Sequence, residues 1–439
     1  MRIIVNITTS IIPRIIVGLI FLAVLIGVIA YARGYRLNKD GTLTSTGILS
    51  INSSPQPATV YVNGMLKGAT DINLTLPYGQ YTIEVKKEGY TDWKKSVSLK
   101  GETVMSLNAH LYSKNPSLTP LTNLGITKAI PLGNTEKVII ISQTGDVEKD
   151  GIYLFESTKR TISIFPPLTL LMLKSLLPPE VNIANATFDF DPDYRQAIIT
   201  FVENETSYSY LISLDQQTTE LIDISASKDN VTKKWNEEIN NEMIKIVETL
   251  PKKIRSIAID SFEVISLAPD EKRLMYLAKK DVELPLVINP PLIGANQSPQ
   301  ERLIKKGSIY IYDKKEDKNF KVPVDPYTEI LNEIPKTEEP TTTSSTDSAI
   351  AVTPHVSDPT ITRLIQEHIL WFPTSDYIAI KEKNQIVLME YDGGNKQAVY
   401  AGPFSPEFFS VSPDWNLVVI INLNPNNNLY GDLYAVGIK

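Results

Sequence analysis

The sequence predicts a mainly β protein that begins with a single apolar helix and continues as a small β-sandwich and a β-propeller of about five blades. Three observations carry this reading. Ile15–Ala32 holds eighteen residues without a charge. Residues 47–112 break into short alternating strands separated by turn residues. From Leu118 onward one unit recurs: an apolar strand, a proline-centred turn, a second apolar strand and a strand bearing tyrosine.

The apolar stretch comes first. As a helix rising about 1.5 Å per residue it reaches roughly 27 Å, close to the thickness of a bilayer's hydrocarbon core. A cleaved signal sequence would carry a shorter apolar region of roughly 7–15 residues before small residues at the cut. Ala30-Tyr31-Ala32 fits such a site, but the length and β-branched character of the stretch favour a retained anchor. Charge leaves the orientation undecided, with Arg2 and Arg14 before the span and Arg33, Arg36 and Lys39 after it. A short leader before a large polar body points to an inside tail at 1–14 and an extracytoplasmic body after the linker at 33–46. The expected location is the cytoplasmic membrane, crossed once.

Bulk composition narrows the function classes. Hydrophobic residues at 42% and charged residues at 21% describe an ordinary globular body. A net charge of −7 and a pI near 5.3 argue against a nucleic-acid footprint or a polybasic lipid-binding surface. The sequence has no cysteine, which removes disulfides, thiolate zinc sites and cysteine nucleophiles. Its three histidines are His110, His355 and His368.

The first β module spans 47–112. Gly47–Ile51 leads to Ala58–Val62, and Asn63-Gly64 follows as a strong hairpin signal. Ile72, Leu74 and Leu76 alternate with polar residues. After Pro77-Tyr78-Gly79, the positions Tyr81, Ile83 and Val85 share one face. Val97, Leu99, Val104 and Leu107 supply two more strands. Strands with one buried and one wet face, turning every eight to twelve residues, predict a small antiparallel sandwich.

Val60-Tyr61-Val62-Asn63-Gly64, Gly68-Ala69-Thr70, Leu76-Pro77-Tyr78-Gly79-Gln80-Tyr81 and Glu88-Gly89-Tyr90 together resemble the PEGA domain. Asp71 stands where that family's pattern carries proline. The resemblance implies a wall- or surface-associated β module without catalytic residues.

The repeats begin at 118. Their turns are Asp191-Pro192-Asp193, Ala268-Pro269-Asp270, Phe372-Pro373-Thr374 and Ser412-Pro413-Asp414. An earlier unit, Lys137–Ser142 with Gly151–Phe155, lacks the Pro-Asp turn. Recurrence of one four-strand unit is the mark of a propeller, in which each blade buries its face on the next. The fifth unit runs out of sequence before an outer strand, so Leu118–Ile130 is expected to supply it. The pattern resembles the Tol-Pal periplasmic propeller type. Asn289–Asp313 and Met389–Phe404 resemble an anchored bacterial surface family that joins a PEGA domain to a propeller.

Two insertions interrupt the propeller at 118–439. Within 226–256, Trp235, Ile239, Met243 and Val247 recur every four residues, which predicts an amphipathic helix capped by Asp229 and stopped by Pro251. Its apolar stripe is expected to pack on the propeller. Residues 332–366 are rich in Thr, Ser and Pro, which predicts a solvated flexible loop.

The chain shows no nucleophile elbow, phosphate loop, dinucleotide fingerprint or zincin motif. Each histidine is expected in a structural or solvated role. Asp189, Asp191 and Asp193 alternate as calcium ligands do, but Tyr194 and Thr200 replace the glycine and glutamate of a calcium loop, so they read as blade-turn residues. No catalytic, cofactor or metal residues are assigned, and no cofactor is expected. The expected function is non-enzymatic binding or scaffolding at the cell envelope, with the propeller engaging cell-wall glycan or envelope proteins. One alternative is a propeller hydrolase or lyase acting on glycan through a carboxylate pair. Another is a purely structural spacer.

Overall fold

The computed structural model describes residues 3–32, 35–37, 43–133, 135–157, 168–203, 206–323, 356–414, 416–423 and 430–439. It is mainly β, with helix α1 at the N-terminus, Ile3–Ala32. The helix starts well before residue 15, so the expected tail at 1–14 is helical from Ile3. Its upstream turn is apolar, and Pro13 removes a single backbone donor without ending the helix. Pro13–Ala32 has a mean hydropathy of 2.9 and none of it is buried. Such a helix is long and apolar enough to cross a membrane, and a signal sequence meets the same description.

Contacts divide the chain into two compact units: residues 1–111 with 292–297, and residues 112–291 with 298–439. A linear division of the sequence would not place 292–297 with the first unit.

The β part of the first unit is a sandwich of two four-stranded sheets. One contains Leu43–Ser54, Ile72–Pro77 and Val104–His110; the other runs Met65–Ala69, Thr59–Val62, Gly79–Lys86, Trp93–Leu99. Leu49, Ile51, Val60, Ile83, Val85 and Leu99 are fully buried between them, and Trp93 closes the core. The family motif has physical reasons. Asn63 and Gly64 both have positive φ, 50° and 77°, and Val62 pairs with Met65, which defines the two-residue turn matched to strand twist. The Thr70 hydroxyl accepts the Ala58 N–H at 3.0 Å and lies 2.6 Å from the Ser53 hydroxyl. Tyr81 folds back to donate its hydroxyl to the Pro77 carbonyl at 2.8 Å. The sandwich is not wholly antiparallel: Val104–His110 runs parallel to Leu43–Ser54, because the chain reaches that edge by crossing from the opposite sheet.

The second unit carries five four-stranded antiparallel blades among the described residues. Blade 1 is Ile126–Pro131, Lys137–Ser142, Gly151–Glu156 and Leu168–Leu173. Blade 2 is Thr187–Phe190, Gln196–Glu203, Thr206–Ser213 and Ile222–Asp223. Blade 3 is Phe262–Leu267, Arg273–Ala278, Ile309–Asp313 and Lys318–Lys321. Blade 4 is Ile369–Trp371, Tyr377–Glu382, Gln385–Glu390 and Gln397–Tyr400. Blade 5 is Phe409–Val411, Asn416–Ile421, Asp432–Gly437 and, from far upstream, Ser117–Pro120. That borrowed strand pairs Leu118 with Val436 and Pro120 with Tyr434. It is the outer strand expected from the sequence.

Three of the proline-centred turns share one geometry. The N–H groups of Tyr194, Glu271 and Ser375 return to the carbonyls of Asp191, Ala268 and Phe372 at 3.1, 2.8 and 2.9 Å. Each donor is left-handed, with φ of 53°, 58° and 64°. Proline fixes the φ of the second residue, and the left-handed fourth residue redirects the chain into the next strand.

Alternate residues of each strand serve opposite neighbours, as the period of two requires. Ile139 and Ile141 of blade 1 pack with Ala197 and Ile199 of blade 2, whereas Val138 and Ile140 pack with Val418 and Leu433 of blade 5. Met275 and Ile311 of blade 3 meet Ile378 and Met389 of blade 4, whose other face meets Leu417 and Val419 of blade 5. Arg273 reinforces the seam between blades 3 and 4. It holds Asp313 at 3.1 Å, donates to the Ser375 carbonyl at 2.9 Å and lies 3.9 Å from the centre of the Tyr391 ring.

The seam between blades 2 and 3 is different. The second face of blade 3, with Phe262, Val264, Tyr276 and Tyr310, is covered by helices α2 (Lys228–Glu248) and α3 (Lys252–Ser261) through Val247, Leu250, Ile254 and Ala258. The facing side of blade 2 carries a polar patch beside buried Ile198: Thr200 and Ser209 share a 3.0 Å hydrogen bond, and Lys228 donates to Thr200 at 2.9 Å.

Two sequence expectations change here. Asp229 lies in the first turn of α2 and Ser227 is its N-cap residue; Pro251 opens a second helix at its N-cap position. The expected loop at 332–366 ends in helix α4, Pro359–Gln366. Asp358 caps it by accepting the Thr360 N–H at 2.8 Å, and Pro359 begins it. The remainder of that loop, up to 355, lies outside the described residues, as does His355.

Candidate functional site

A cavity of about 430 Å³ opens at the seam between blades 2 and 3. Trp235, Ile239 and Met243, the stripe predicted from sequence, form one wall, and the innermost strands of blades 2 and 3 form another through Phe190 and Ile265. Trp235 is buried, and the rings of Phe188, Phe190 and Tyr194 follow one another at centroid spacings of 6.1 and 6.0 Å.

Helix α4 spans this seam with hydrogen bonds. Arg363 Nη1 donates to the Phe188 carbonyl of blade 2 at 3.2 Å, and Gln366 Nε2 donates to the Ile265 carbonyl of blade 3 at 3.3 Å. Just upstream, the Val356 N–H meets Asn240 Oδ1 of α2 at 2.9 Å while its carbonyl accepts the Val264 N–H at 2.8 Å. The Asp358 N–H also donates to Glu263 Oε1. Carbonyls of innermost strands that face away from their own blade thus find partners, which a buried backbone requires.

A second cavity, about 570 Å³, lies between blades 5 and 1 and is lined by Lys128, Phe404, Glu367, Glu407 and Tyr430. Lys128 Nζ donates to the Ala186 carbonyl of blade 2 at 3.2 Å. Burial, helped by the nearby Arg363, holds its ammonium below the ordinary lysine value, and Glu367 and Glu407 oppose the shift.

The acids singled out in the sequence serve the blade turn. Asp191 Oδ1 accepts the N–H groups of Arg195 and Gln196, both at 2.7 Å, and Asp189 pairs with Lys228 at 3.4 Å. Tyr194 is the left-handed residue of that turn, and burial followed by the Asp191 charge raises its hydroxyl pKa. His110 ends a sandwich strand, and His368 Nδ1 lies 3.0 Å from the Leu364 carbonyl at the end of α4.

Arg363, Gln366 and Lys128 did not stand out in the sequence. Asp358-Pro359 followed by Ile361 and Ile365 is a helix-start signal, but it adjoins the Thr- and Ser-rich run, whose composition masks it. Lys128 is a lone cation in an apolar strand, and sequence carries no sign of which neighbour it reaches.

Asn289–Asp313 and Met389–Phe404 are joined in the second unit, where Ser298 donates to Asp392 Oδ2 at 2.6 Å. Within the first stretch, Arg302 holds Asp317 at 2.8 Å. Within the second, Glu390 Oε1 accepts from Tyr377 at 3.2 Å and Asn395 at 2.9 Å. These are supports of blades 3 and 4.

The fold therefore defines a class: an apolar N-terminal helix, a small β-sandwich and a propeller. Residues 46–115 match the PEGA domain, and the five blades that follow form a β-propeller. No curated protein matches the chain. Among solved structures, a protein of Bacteroides uniformis designated a 6-phosphogluconolactonase is 12% identical, covering 87% of this chain and 95% of its own, with a TM-score of 0.16. A protein of Agrobacterium tumefaciens designated TolB is 10% identical, covering 86% and 98%, with a TM-score of 0.16. An auxiliary nutrient binding protein of Bacteroides ovatus is 10% identical, covering 89% and 81%, with a TM-score of 0.19. Scores of this size carry no argument; the propeller rests on the five blades and their packing.

Proposed function

We propose that this protein is a single-pass, membrane-tethered binding or scaffolding protein of the bacterial cell envelope. Its body lies outside the cytoplasm, and its propeller engages cell-wall glycan or envelope proteins without catalysing a reaction. The observation that carries the reading is the seam between blades 2 and 3, where inserted helices and a cavity stand in place of a blade-to-blade apolar core. Concave, largely apolar spaces with a few convergent polar groups are where proteins take ligands. The fully exposed apolar helix supports the tether, and the PEGA match supports an extracytoplasmic address.

Full-length protein incubated with isolated sacculi and, separately, with envelope protein extract tests the role. Saturable retention on sacculi without release of soluble sugar is the expected result for a wall-binding tether, and capture of defined envelope proteins is the result for a scaffold. Sugar release would replace the reading with a hydrolase, and retention on neither would overturn it. Protease added to spheroplasts should digest the body while the membrane stays sealed; a protected body would overturn the orientation.

A further inference from the structure

We infer that the cavity between blades 2 and 3 binds a small apolar acid, with its carboxylate on the Arg363 guanidinium and its apolar body among Trp235, Ile239 and Met243. This rests on the seam being the binding site proposed above.

Charge at the cavity decides the class. Arg363 is exposed and lines the cavity, and one of its five donors is engaged, at 3.2 Å to the Phe188 carbonyl. Among the described residues it has no carboxylate within ion-pair distance. The acids that line the same space are differently placed. Asp189 is paired with Lys228 at 3.4 Å, Asp191 Oδ1 receives two backbone N–H groups at 2.7 Å, and Glu242 lies apart on α2. A guanidinium fork with free donors matches a carboxylate bidentately, and such charge-assisted bonds are stronger than neutral ones.

Size narrows the ligand further. About 430 Å³ is at the small end of ligand cavities, enough for an aromatic or branched side chain with its carboxylate. A free apolar acid and the C-terminal residue of a peptide share this chemistry.

The test uses the full chain in lipid nanodiscs and ligand-observed NMR with matched probes: N-acetylphenylalanine, its primary amide, phenethyltrimethylammonium, and the tripeptide Ala-Ala-Phe with a free or an amidated C-terminus. N-acetylphenylalanine should bind about tenfold more tightly than its amide, with the ammonium weakest. Arg363→Gln should erase the preference for the acid while leaving the amide unchanged, and Arg363→Lys should keep part of it. Trp235→Ala should weaken acid and amide alike. Binding of the free-acid tripeptide would identify chain termini as ligands, and its failure beside binding of N-acetylphenylalanine would identify free acids; both support the inference. Equal binding of acid and amide, or tightest binding of the ammonium, would overturn it. Binding of no probe by a protein that still sediments with sacculi would overturn the ligand class and leave the binding role standing.

Discussion

Asp432 is the most informative residue to remove from the propeller. Its Oδ1 accepts the Thr122 hydroxyl at 2.9 Å, the Leu124 N–H at 2.8 Å and the Gly125 N–H at 3.3 Å, and Thr122 Oγ1 in turn accepts the Leu433 N–H at 2.9 Å. One carboxylate thus joins the strand that finishes blade 5 to the segment that leads into blade 1. Hydrogen bonds to a charged acceptor are worth about 1.5–3 kcal/mol each. The site is half-buried and its third bond is long, so we discount the sum and expect Asp432→Ala to cost about 2–4 kcal/mol. In a unit of this size that lowers the melting temperature by roughly 4–8 °C. Thermal and urea melts of the full chain, followed by near-ultraviolet circular dichroism, should show the propeller transition moving while the sandwich transition stays, since a two-domain chain does not unfold in one step. Asp432→Asn keeps one acceptor and should lose about half as much. An Asp432→Ala protein within about 0.5 kcal/mol of wild type would refute the reasoning.

Two further predictions concern blade 3. Burial alone would raise the Asp317 carboxyl, but the N–H groups of Ile288 and Val287 and the Arg302 guanidinium outweigh it and hold the group below the ordinary carboxylate value. A depressed carboxyl stabilises the fold above its unfolded value of about 4, and that stability is lost as pH falls through the folded value. Acid unfolding monitored from pH 5 downward should therefore flatten in Asp317→Asn, which should also be less stable at neutral pH; an unchanged acid limb would contradict the assignment. Arg273→Ala should destabilise by about 3 kcal/mol, because it leaves the buried Asp313 carboxylate with only the Lys315 and Glu316 N–H groups and frees the Tyr391 face. Arg273→Lys should recover only part of this in urea melts, since an ammonium has no planar fork to hold Asp313 and the Ser375 carbonyl while its face stacks on Tyr391.

The blades were legible in the sequence because their physics is local. A proline turn followed by a left-handed residue repeats at Pro192, Pro269 and Pro373, and strand alternation places Ile139 and Ile140 on opposite faces whatever the neighbours are. The sandwich was legible for the same reason, since Asn63-Gly64 and Tyr81 act within a few residues of themselves. What stayed hidden depends on distance along the chain. The parallel pairing of Val104–His110 is a choice of sheet edge, and no periodicity encodes an edge. Trp235, Ile239 and Met243 announced an apolar face, but only the fold shows that Val247 packs on blade 3 while the other three line a cavity. Arg363 was lost because composition averaged over 332–366 concealed one short helix, although Asp358-Pro359 marked its start.

Blade 5 joins Ser117–Pro120 to Asp432–Gly437, and Thr122 and Asp432 are 310 residues apart in sequence. Such a closure carries a high loop entropy and is among the slowest contacts to form. During synthesis, Ser117–Pro120 emerges about 310 residues ahead of the strand it pairs with. An unpaired strand is an invitation to aggregate. This one is short, exposed along its length and ends in proline, the composition by which proteins keep a waiting edge harmless. A chain cut short before 432–437 leaves Ser117–Pro120 without its partner strand, a loose edge open to proteolysis.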